Sequence, residues 1–243
     1  MNSRGGRHTL IVADGDVPAR AHLDAAWPGW DEDVALVVAA DGGLARARAI
    51  GLAPSLLVGD LDSLDPVLVT AGEGAGLEIL RAPVAKDESD TELALLEAVR
   101  RGATRITVLG AFGGARLDHT LANLWLLGHP GLVGVHVVLI DDRVRASLLS
   151  APGPGGEPVT RALPGAPGVT ISLLPLGGDV IGITTAGLRY PLRDEPLRVG
   201  PARGLSNIRE AADASVTVRA GRLLIVEGAE VRGPADAPAG LSS

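Results

Sequence analysis

The stretch Leu56-Leu57-Val58-Gly59-Asp60-Leu61-Asp62-Ser63 joins a short apolar run to two aspartates that stand two residues apart. An apolar run of this length that ends in glycine is typical of a buried strand followed by a turn. Two carboxylates this close repel each other, and a hard cation such as Mg²⁺, which commonly bridges carboxylates to substrate phosphates, relieves the repulsion. A polar turn in which Asp62 or Ser63 caps the next helix explains the same residues. The stretch alone supports both interpretations equally.

The composition indicates a globular protein with an aliphatic core. Of the 243 residues 46% are hydrophobic but only 2% are aromatic, and there is no cysteine, which excludes disulfides and thiolate metal sites. The net charge of −7 argues against a nucleic-acid-binding protein that relies on phosphate contacts. No run approaches the about 20 apolar residues of a transmembrane helix, so we expect a cytoplasmic protein without a membrane partner.

The first 140 residues alternate apolar runs with helical patterns. The runs are rich in Val, Ile and Leu without strict alternation, as expected of strands buried on both faces of a parallel sheet. Ser89 and Glu92 form a capping box that begins the best-defined helix. Strands are predicted at residues 9–13, 34–40, 55–58, 77–80, 105–109 and 135–140, and helices at 18–26, 44–50, 66–71, 89–101 and 117–127. This alternation predicts an α/β fold with an open, mostly parallel sheet and flanking helices.

The character of the chain changes after Asp142. Residues 151–158 are rich in Gly and Pro and are predicted to be a loop. Short β-rich runs follow at residues 169–174, 180–185, 197–199, 215–219 and 223–226, with Ala220-Gly221 predicted as a hairpin turn. We therefore predict an α/β domain at 1–142, a smaller all-β, sandwich-like domain at 143–232 and a disordered tail at 233–243.

Acidic residues and glycines follow each of the first five predicted strands. They are Asp14-Gly15-Asp16, Asp41-Gly42-Gly43, Asp60 with Asp62, Lys86-Asp87 with Asp90, and Gly110-Ala111-Phe112-Gly113-Gly114. Each group has an ordinary explanation as a turn, a charge at a helix start or tight packing. Ligands of open parallel sheets bind at the carboxyl ends of the strands. The coincidence of all five groups at that edge favours a metal–triphosphate site, because glycines let backbone N–H groups approach anionic oxygens.

The residues Arg116-Leu117-Asp118-His119-Thr120 follow the last of these glycines. At a helix start, Arg116 can reach a phosphate with two donors, and Asp118 can orient the arginine or bind metal. His119 and Asn123 share a helix face, and a hydrogen-bonded structural role is the favoured explanation of the histidine. No Gly-Lys-Ser/Thr follows a glycine loop, so the chain has no P-loop. It also has no Gly-x-Ser-x-Gly elbow, and its histidines are too scattered for a zinc site.

Six segments, taken in order, resemble the thiamine pyrophosphokinase (thiamine diphosphokinase) family. They are Ala40-Asp41-Gly42-Gly43, Gly59 to Ser63, Lys86 to Leu95, Gly110 to Asn123 apart from Ala115, Gly187 to Leu192 and Gly204-Leu205-Ser206-Asn207. The resemblance implies an α/β nucleotide-binding domain followed by a β-sandwich in a homodimer. It also implies Mg²⁺-dependent transfer of a pyrophosphoryl group from ATP to the hydroxyl of thiamine, with release of AMP.

The resemblance further implies roles for individual residues. The metal and phosphate ligands would be Asp41, Asp60, Asp62 and Asp90. The ATP site would be lined by Asp41, Gly42, Gly43, Lys86, Asp87, Gly113, Gly114, Arg116 and Asp118. The thiamine site, formed with the partner subunit, would contain Tyr190, Ser206 and Asn207. For catalysis, Asp62 or Asp90 is the candidate to accept the hydroxyl proton, and Arg116 would stabilise charge on the transferred group.

Two other functions fit the same motifs. A pyrophosphokinase for another hydroxymethyl heterocycle, such as a pterin, would share the ATP motifs, and a catalytically inactive nucleotide-binding protein would retain part of the acidic edge. Ala115 is an additional residue where the family runs Gly-Gly-Arg, so we expect it to change the aim of Arg116. Tyr190 fits either an ordinary β-sheet tyrosine or stacking on the thiazolium cation, a contact worth about 0.5–2 kcal/mol.

Overall fold

The computed structural model describes residues 7–60, 67, 72, 74, 76–83, 86–153 and 155–230. Its first part contains β1 (Arg7–Val12), α1 (Arg20–Ala26), β2 (Val34–Ala40), α2 (Gly43–Ala49), β3 (Leu56–Gly59), β4 (Glu78–Arg81), α3 (Asp90–Arg100), β5 (Ala103–Leu109), α4 (Leu117–Leu126), a 3-10 turn (Pro130–Leu132) and β6 (His136–Ile140). The second part contains β7 (Val144–Ala151), β8 (Val159–Ala162), β9 (Thr170–Pro175), β10 (Val180–Ala186), β11 (Arg193–Leu197), β12 (Asn207–Ile208), β13 (Ser215–Val218) and β14 (Gly221–Gly228).

A ten-stranded sheet in the order β12-β9-β14-β7-β6-β5-β1-β2-β3-β4 forms the centre of the molecule. Strands β4, β3, β2, β1, β5 and β6 are parallel. Strand β1 lies between β2 and β5. The chain first adds β2, β3 and β4 on one side of β1 and then returns to add β5 and β6 on the other side. Such a reversal creates a crevice at the carboxyl ends of the strands, where ligands of open α/β sheets bind.

Both faces of the parallel strands are buried. On one face, Leu10 and Val12 of β1 pack in a cluster with Leu23 of α1 and Ala47 of α2. On the other face, Ile11 belongs to the cluster that contains the apolar side of α3. The uninterrupted apolar runs in the sequence follow from this double burial, and the predicted α/β fold with a parallel sheet is confirmed.

The second part of the chain forms a sandwich. The sheet β11-β10-β13-β8 faces the strands β7, β14 and β9 of the large sheet. Leu149, Ile171 and Ile225 from the large sheet share one core with Val180 and Val216 from the small sheet. The predicted smaller all-β sandwich is therefore present, but one of its sheets is continuous with the parallel sheet, because β7 pairs antiparallel with β6.

Two local predictions for this part are wrong. Ala220-Gly221 is not a hairpin turn, because β13 lies in the small sheet and β14 in the large one, so the turn carries the chain across the sandwich. The strand predicted at 197–199 ends at Leu197 as β11. Strands β7, β8 and β12 were not predicted.

Some predictions fall where the structure gives no description. They are the helix at 66–71, apart from Val67, and the tail at 233–243. Within the described part of the chain, no helix combines the length and hydropathy that a membrane span requires.

Candidate active site

A cavity of about 500 Å³ opens at the carboxyl ends of β1, β2 and β5. Its walls are residues 13–15 after β1, 40–41 at the end of β2, Lys86 with 88–91 at the start of α3, and 110, 111 and 113–116 after β5, with the first turns of α4. The acidic residues and glycines were expected at five strand ends; the residues after β1, β2 and β5 and those before α3 line this cavity, whereas Asp60 after β3 does not. The cavity lies beside β1 and β5, where the sheet topology reverses.

The loops that follow β1 and β5 pack backbone against backbone. Gly15 N donates to Gly110 O at 2.9 Å, and Gly114 N donates to Asp16 Oδ2 at 2.9 Å. A Cβ atom on Gly15 would lie 2.4 Å from Gly110 O, and Gly113 has a φ of +72°. Only glycine fits this approach and this backbone conformation, so packing and site formation both explain the glycines here.

Glycines also let α2 begin directly against β1. A Cβ on Gly43 would lie 1.9 Å from Val12 O, and one on Gly42 would lie 2.3 Å from Asp14 Oδ1. Neither of these two predicted ATP-site glycines is part of the cavity wall, whereas Asp41 is. Their role in the structure is to position the start of α2 beside the cavity.

Lys86 and Asp90 form the most sheltered ion pair of the site. Lys86 Nζ lies 2.5 Å from Asp90 Oδ1, and the side chains are 12% and 28% exposed. Ser89 Oγ accepts from Glu92 N at 3.1 Å, which confirms the predicted helix cap and places Asp90 in the first turn of α3. Asp87, in contrast, is exposed and outside the cavity wall. The only lysine of the chain is thus held at the cavity by a carboxylate.

Arg116 and Asp118 form an exposed pair at the mouth of the cavity. Arg116 Nε donates to Asp118 Oδ1 at 3.1 Å, and His119 N donates to the same oxygen at 3.1 Å. The hydrogen bond from Arg116 lowers the pKa of the Asp118 carboxyl below its ordinary value. Arg116 lines the cavity, and Asp118 orients it from outside the wall, as the sequence suggested.

Asp41, Asp60 and Asp90 are the described members of the predicted metal site, and Asp90, at the start of α3, lines the same cavity as Asp41. A Cβ on Gly59 would lie 3.3 Å from Asp41 Cβ, so the backbone that leads into Asp60 passes against Asp41. Asp62 and Ser63 lie outside the described residues. In the described ranges, no three His, Asp or Glu side chains are grouped closely enough to hold a metal ion. Mg²⁺ bound to phosphates needs only one or two protein carboxylates, so the pair of aspartates fits that ion.

The three residues predicted to bind thiamine lie together in the second part of the chain. The Asn207 side chain is buried: Oδ1 accepts from Tyr190 N at 3.0 Å and Ile208 N at 2.8 Å, and Nδ2 donates to Tyr190 O at 2.8 Å. The amide therefore holds the backbone of Tyr190, whose side chain is 63% exposed. Ser206 is also exposed and has a φ of +58°. None of the three lines the cavity at the strand ends.

The cavity wall also contains residues that were not predicted as site residues, among them Arg46, His119, Thr120 and Asn123. Arg46 Nε lies 3.5 Å from Asp14 Oδ1. His119 is exposed rather than part of a structural core, and Asn123 Nδ2 donates to Ala111 O at 3.0 Å. The helical spacing of His119 and Asn123, and the position of Arg46 one turn after Gly42-Gly43, are the signals that could have identified them.

Two family models match the chain. The model described as "Thiamin pyrophosphokinase, catalytic domain" matches residues 30–139, and the model described as "Thiamin pyrophosphokinase, vitamin B1 binding domain" matches residues 162–223. The first range contains the cavity residues that follow β2 and β5 and those at the starts of α3 and α4, but not residues 13–15 after β1. The second range contains Tyr190, Ser206 and Asn207.

Individual relatives agree with the family models. The thiamine pyrophosphokinase of Bacillus subtilis (strain 168) is 26% identical over 179 residues, which cover 74% of this chain and 80% of that protein. Thiamine pyrophosphokinase 1 of Oryza sativa subsp. japonica is 28% identical over 170 residues, which cover 68% of this chain and 62% of that protein. The crystal structure of the B. subtilis protein superposes with a TM-score of 0.77 at 26% identity, covering 93% of this chain and 100% of that one. The yeast structure, with a TM-score of 0.74 at 16% identity over 93% of this chain and 87% of that one, shows the shared fold.

Proposed function

Since the chain belongs to the thiamine pyrophosphokinase family, we propose that the cavity at the ends of β1, β2 and β5 is where ATP donates its pyrophosphoryl group to the hydroxyl of thiamine. The products are thiamine diphosphate and AMP. The observation that carries this placement is the convergence of Lys86, Arg116 and the glycine-rich loop after β5 on one cavity at the reversal of the sheet topology. A cytoplasmic location is part of the proposal, because ATP is the co-substrate.

We propose that the phosphates of ATP lie between Lys86, Arg116 and the glycine-rich loop that contains Gly113 and Gly114. Both side chains and both glycines line the cavity, and a loop without side chains lets an anion approach closely. Asp41, Asp60 and Asp62, together with Asp90, would hold Mg²⁺, which neutralises phosphate charge when bound. Gly42, Gly43 and Asp118 support this site from outside the cavity wall.

The proposed reaction is an in-line displacement at the β-phosphorus. The thiamine hydroxyl oxygen forms a bond to the β-phosphorus. At the same time the bond between the β-phosphorus and the α–β bridging oxygen breaks, and the bridging oxygen leaves with AMP. The hydroxyl proton passes to a carboxylate, Asp62 or Asp90. Asp90 already accepts a hydrogen bond from Lys86, so it also positions the lysine. Such transfers depend mainly on positioning and on stabilisation of charge, which Arg116 and Lys86 provide.

We propose that the active molecule is a homodimer. Tyr190 and Ser206 do not line the cavity of their own chain, so a second copy is needed to bring a thiamine-binding group to it. Helix α4, which borders the cavity, buries none of its residues. Its Leu117, Leu121 and Trp125 are 73%, 39% and 57% exposed and share one face, an apolar stripe next to the site. A second copy of the chain would cover this stripe.

Replacing Trp125 with glutamate is expected to break the dimer, because a charge cannot be buried unpaired in an apolar interface. Sedimentation should give about twice the chain mass of 24.7 kDa for the unmodified protein and a single chain mass for the variant. The melting temperature of the monomer fold should remain measurable, and kcat/KM for thiamine should fall by about tenfold or more. Ile181→Glu, a change at another exposed apolar residue on β10, is the matched control and should stay dimeric. An active monomer of the unmodified chain would refute the shared site.

Product identity separates the proposed function from its alternatives. Purified protein is incubated with Mg·ATP and thiamine, and products are identified by mass spectrometry. Thiamine diphosphate with AMP is the expected result. Turnover of a hydroxymethyl pterin instead of thiamine would indicate the related pyrophosphokinase, and ATP binding without any product would indicate an inactive nucleotide-binding protein.

A further inference from the structure

A second cavity, of about 360 Å³, lies on the sheet face that carries α1. One wall is the segment 25–30 at the end of α1, the floor is formed by alternate residues of β5 and β6, and the far wall comes from loops of the sandwich near Gly165 and Glu230. None of its lining residues also lines the cavity at the strand ends. Its volume is in the range of small-molecule sites, and it lies between two parts of the fold, where such sites are common.

Positive charge exceeds negative charge among the residues that line this cavity. Arg105, Arg145 and Arg209 are lining residues, and Glu230 is the acidic residue among them. The carboxylates of Glu227, Asp24 and Glu32 lie behind the wall, against Arg145, Trp30 and Gly29. Glu227 accepts from Arg145 Nε at 2.8 Å and from Arg209 Nη2 at 2.7 Å, so one carboxylate serves two arginines. Since the whole chain has a net charge of −7, this surplus of arginine is a local feature.

Arg105 is the arginine with free donor capacity. Its Nη2 donates to Glu32 O at 2.7 Å and to His8 Nδ1 at 2.9 Å, and within the described residues it forms no ion pair. A fourth arginine, Arg161, lies behind the cavity wall, where its Nη1 donates to His136 Nε2 at 3.1 Å. A guanidinium that lines a cavity without a carboxylate partner offers its donors to a bound anion.

His136 adds a neutral ring to the floor. A guanidinium can only donate, so Nε2 of His136 accepts from Arg161 and the ring proton lies on Nδ1. Burial, followed by the charges of Arg161, Arg105 and Arg145, lowers the pKa of His136 to about 4. The ring is therefore uncharged at neutral pH, and His136 adds no positive charge to the cavity that it lines.

Another part of the cavity wall is apolar. Trp27 and Trp30 line the cavity with Val138 and Ile140. The Trp27 indole N–H donates to Asp141 O, and its ring lies 4.9 Å from the Arg145 guanidinium carbon, so the ring is fixed on two sides. Fixed aromatic rings beside arginines suit a planar, negatively charged molecule.

We propose that this second cavity binds a small aromatic oxyanion, a single planar ring that carries a carboxylate or phosphate group. The ring packs against Trp27, and the oxyanion binds Arg105. A guanidinium matches a planar oxyanion with two parallel donors, which makes Arg105 the main determinant of affinity.

Tryptophan fluorescence tests the proposal directly. The chain has three tryptophans, so a Trp125→Phe background leaves Trp27 and Trp30 as the reporters. Full-length protein is titrated with benzoate and phenyl phosphate, which distinguish the two oxyanions, and with benzyl alcohol and inorganic phosphate, which lack the charge or the ring. We expect a saturable response to at least one aromatic anion and a weaker or absent response to the other two probes. Arg105→Gln should weaken binding by about 10- to 100-fold.

Two further variants make the outcome unambiguous. Glu230→Gln removes a negative charge from the cavity and should strengthen binding, while Arg198→Gln, on an exposed arginine of the sandwich, should leave it unchanged. Turnover of Arg105→Gln at saturating ATP and thiamine should stay normal. No saturable response to either anion at millimolar concentration, equal binding of benzyl alcohol, or loss of binding in Lys86→Met but not in Arg105→Gln would overturn the proposal.

Discussion

Replacing Lys86 with methionine is expected to lower kcat by about 100- to 1000-fold, the usual effect of removing one donor that stabilises transition-state charge. Lys86 is the only lysine of the chain, its side chain is 12% exposed, and it lines the cavity with its Nζ held by Asp90. In a partly desolvated site, a fixed ammonium stabilises developing phosphate charge more strongly than it would in water. Steady-state kinetics with ATP and thiamine measures the loss.

The stability of the Lys86→Met variant should be nearly unchanged, because Asp90 is partly open to water and can be solvated when its partner is removed. Arg48→Met is the matched control, since Arg48 is an exposed cation of α2 outside the cavity wall. The control should keep normal kcat. A Lys86→Met enzyme that folds and turns over within threefold of the unmodified protein would remove the lysine from the proposed site.

Replacing Glu227 with glutamine is expected to destabilise the fold by about 3–5 kcal/mol, the cost of breaking a buried ion pair. Glu227 and Arg209 are 6% and 3% exposed, with 2.7 Å between Oε2 and Nη2. The same carboxylate accepts from Arg145 at 2.8 and 2.9 Å and joins β14 to β7. Without it, two guanidinium groups face each other with no carboxylate between them.

Thermal unfolding measures this effect. For a chain of this size the loss corresponds to a decrease of roughly 10 °C in Tm. Glu195→Gln is the control, because Glu195 pairs with Arg203 at the surface and water screens that pair. A Glu227→Gln variant that melts together with the control would show that the buried pair contributes little to the fold.

The parallel half of the fold could be predicted from sequence because local pattern and final environment agree there. Every predicted strand and helix of residues 9–140 for which the structure gives bounds begins and ends within two residues of the observed element. Strands such as β2 (Val34–Ala40) are apolar throughout because helices cover both faces of the sheet. The cap at Ser89 was predictable because it involves only residues that are near one another in sequence.

The sandwich was harder to predict because its sheet pairing depends on distant residues. β7 (Val144–Ala151) is a central strand that contains the polar residues Arg145 and Ser147, whose partners are Glu227 and Arg161. Because these partners are distant in sequence, the polar residues made the segment look unlike a buried strand. Ala220-Gly221 has the composition of a hairpin turn, yet the two flanking strands belong to different sheets. Composition identifies a turn but not the partners of the strands on either side.

The candidate site shows the same division. The acidic residues and glycines at strand ends were predictable, because parallel strands place their carboxyl ends at one edge. The structural role of Asn207 was not predictable. Its side-chain amide forms hydrogen bonds with the backbone of Tyr190 and Ile208, and residue spacing in the sequence does not reveal these contacts. The pair of aspartates in Gly59-Asp60-Leu61-Asp62-Ser63 remains a predicted metal site, and in the structure the Gly59 backbone that precedes Asp60 lies against Asp41.

Isotopic tracing of the transferred group tests the central claim most directly. ATP labelled with ¹⁸O in its γ-phosphate is incubated with the protein, Mg²⁺ and thiamine, and the products are analysed by mass spectrometry. We expect thiamine diphosphate that retains the label, formed in equal amount with unlabelled AMP, because the β- and γ-phosphates move as one group. Formation of ADP, release of labelled phosphate, or thiamine monophosphate as the product would contradict the account.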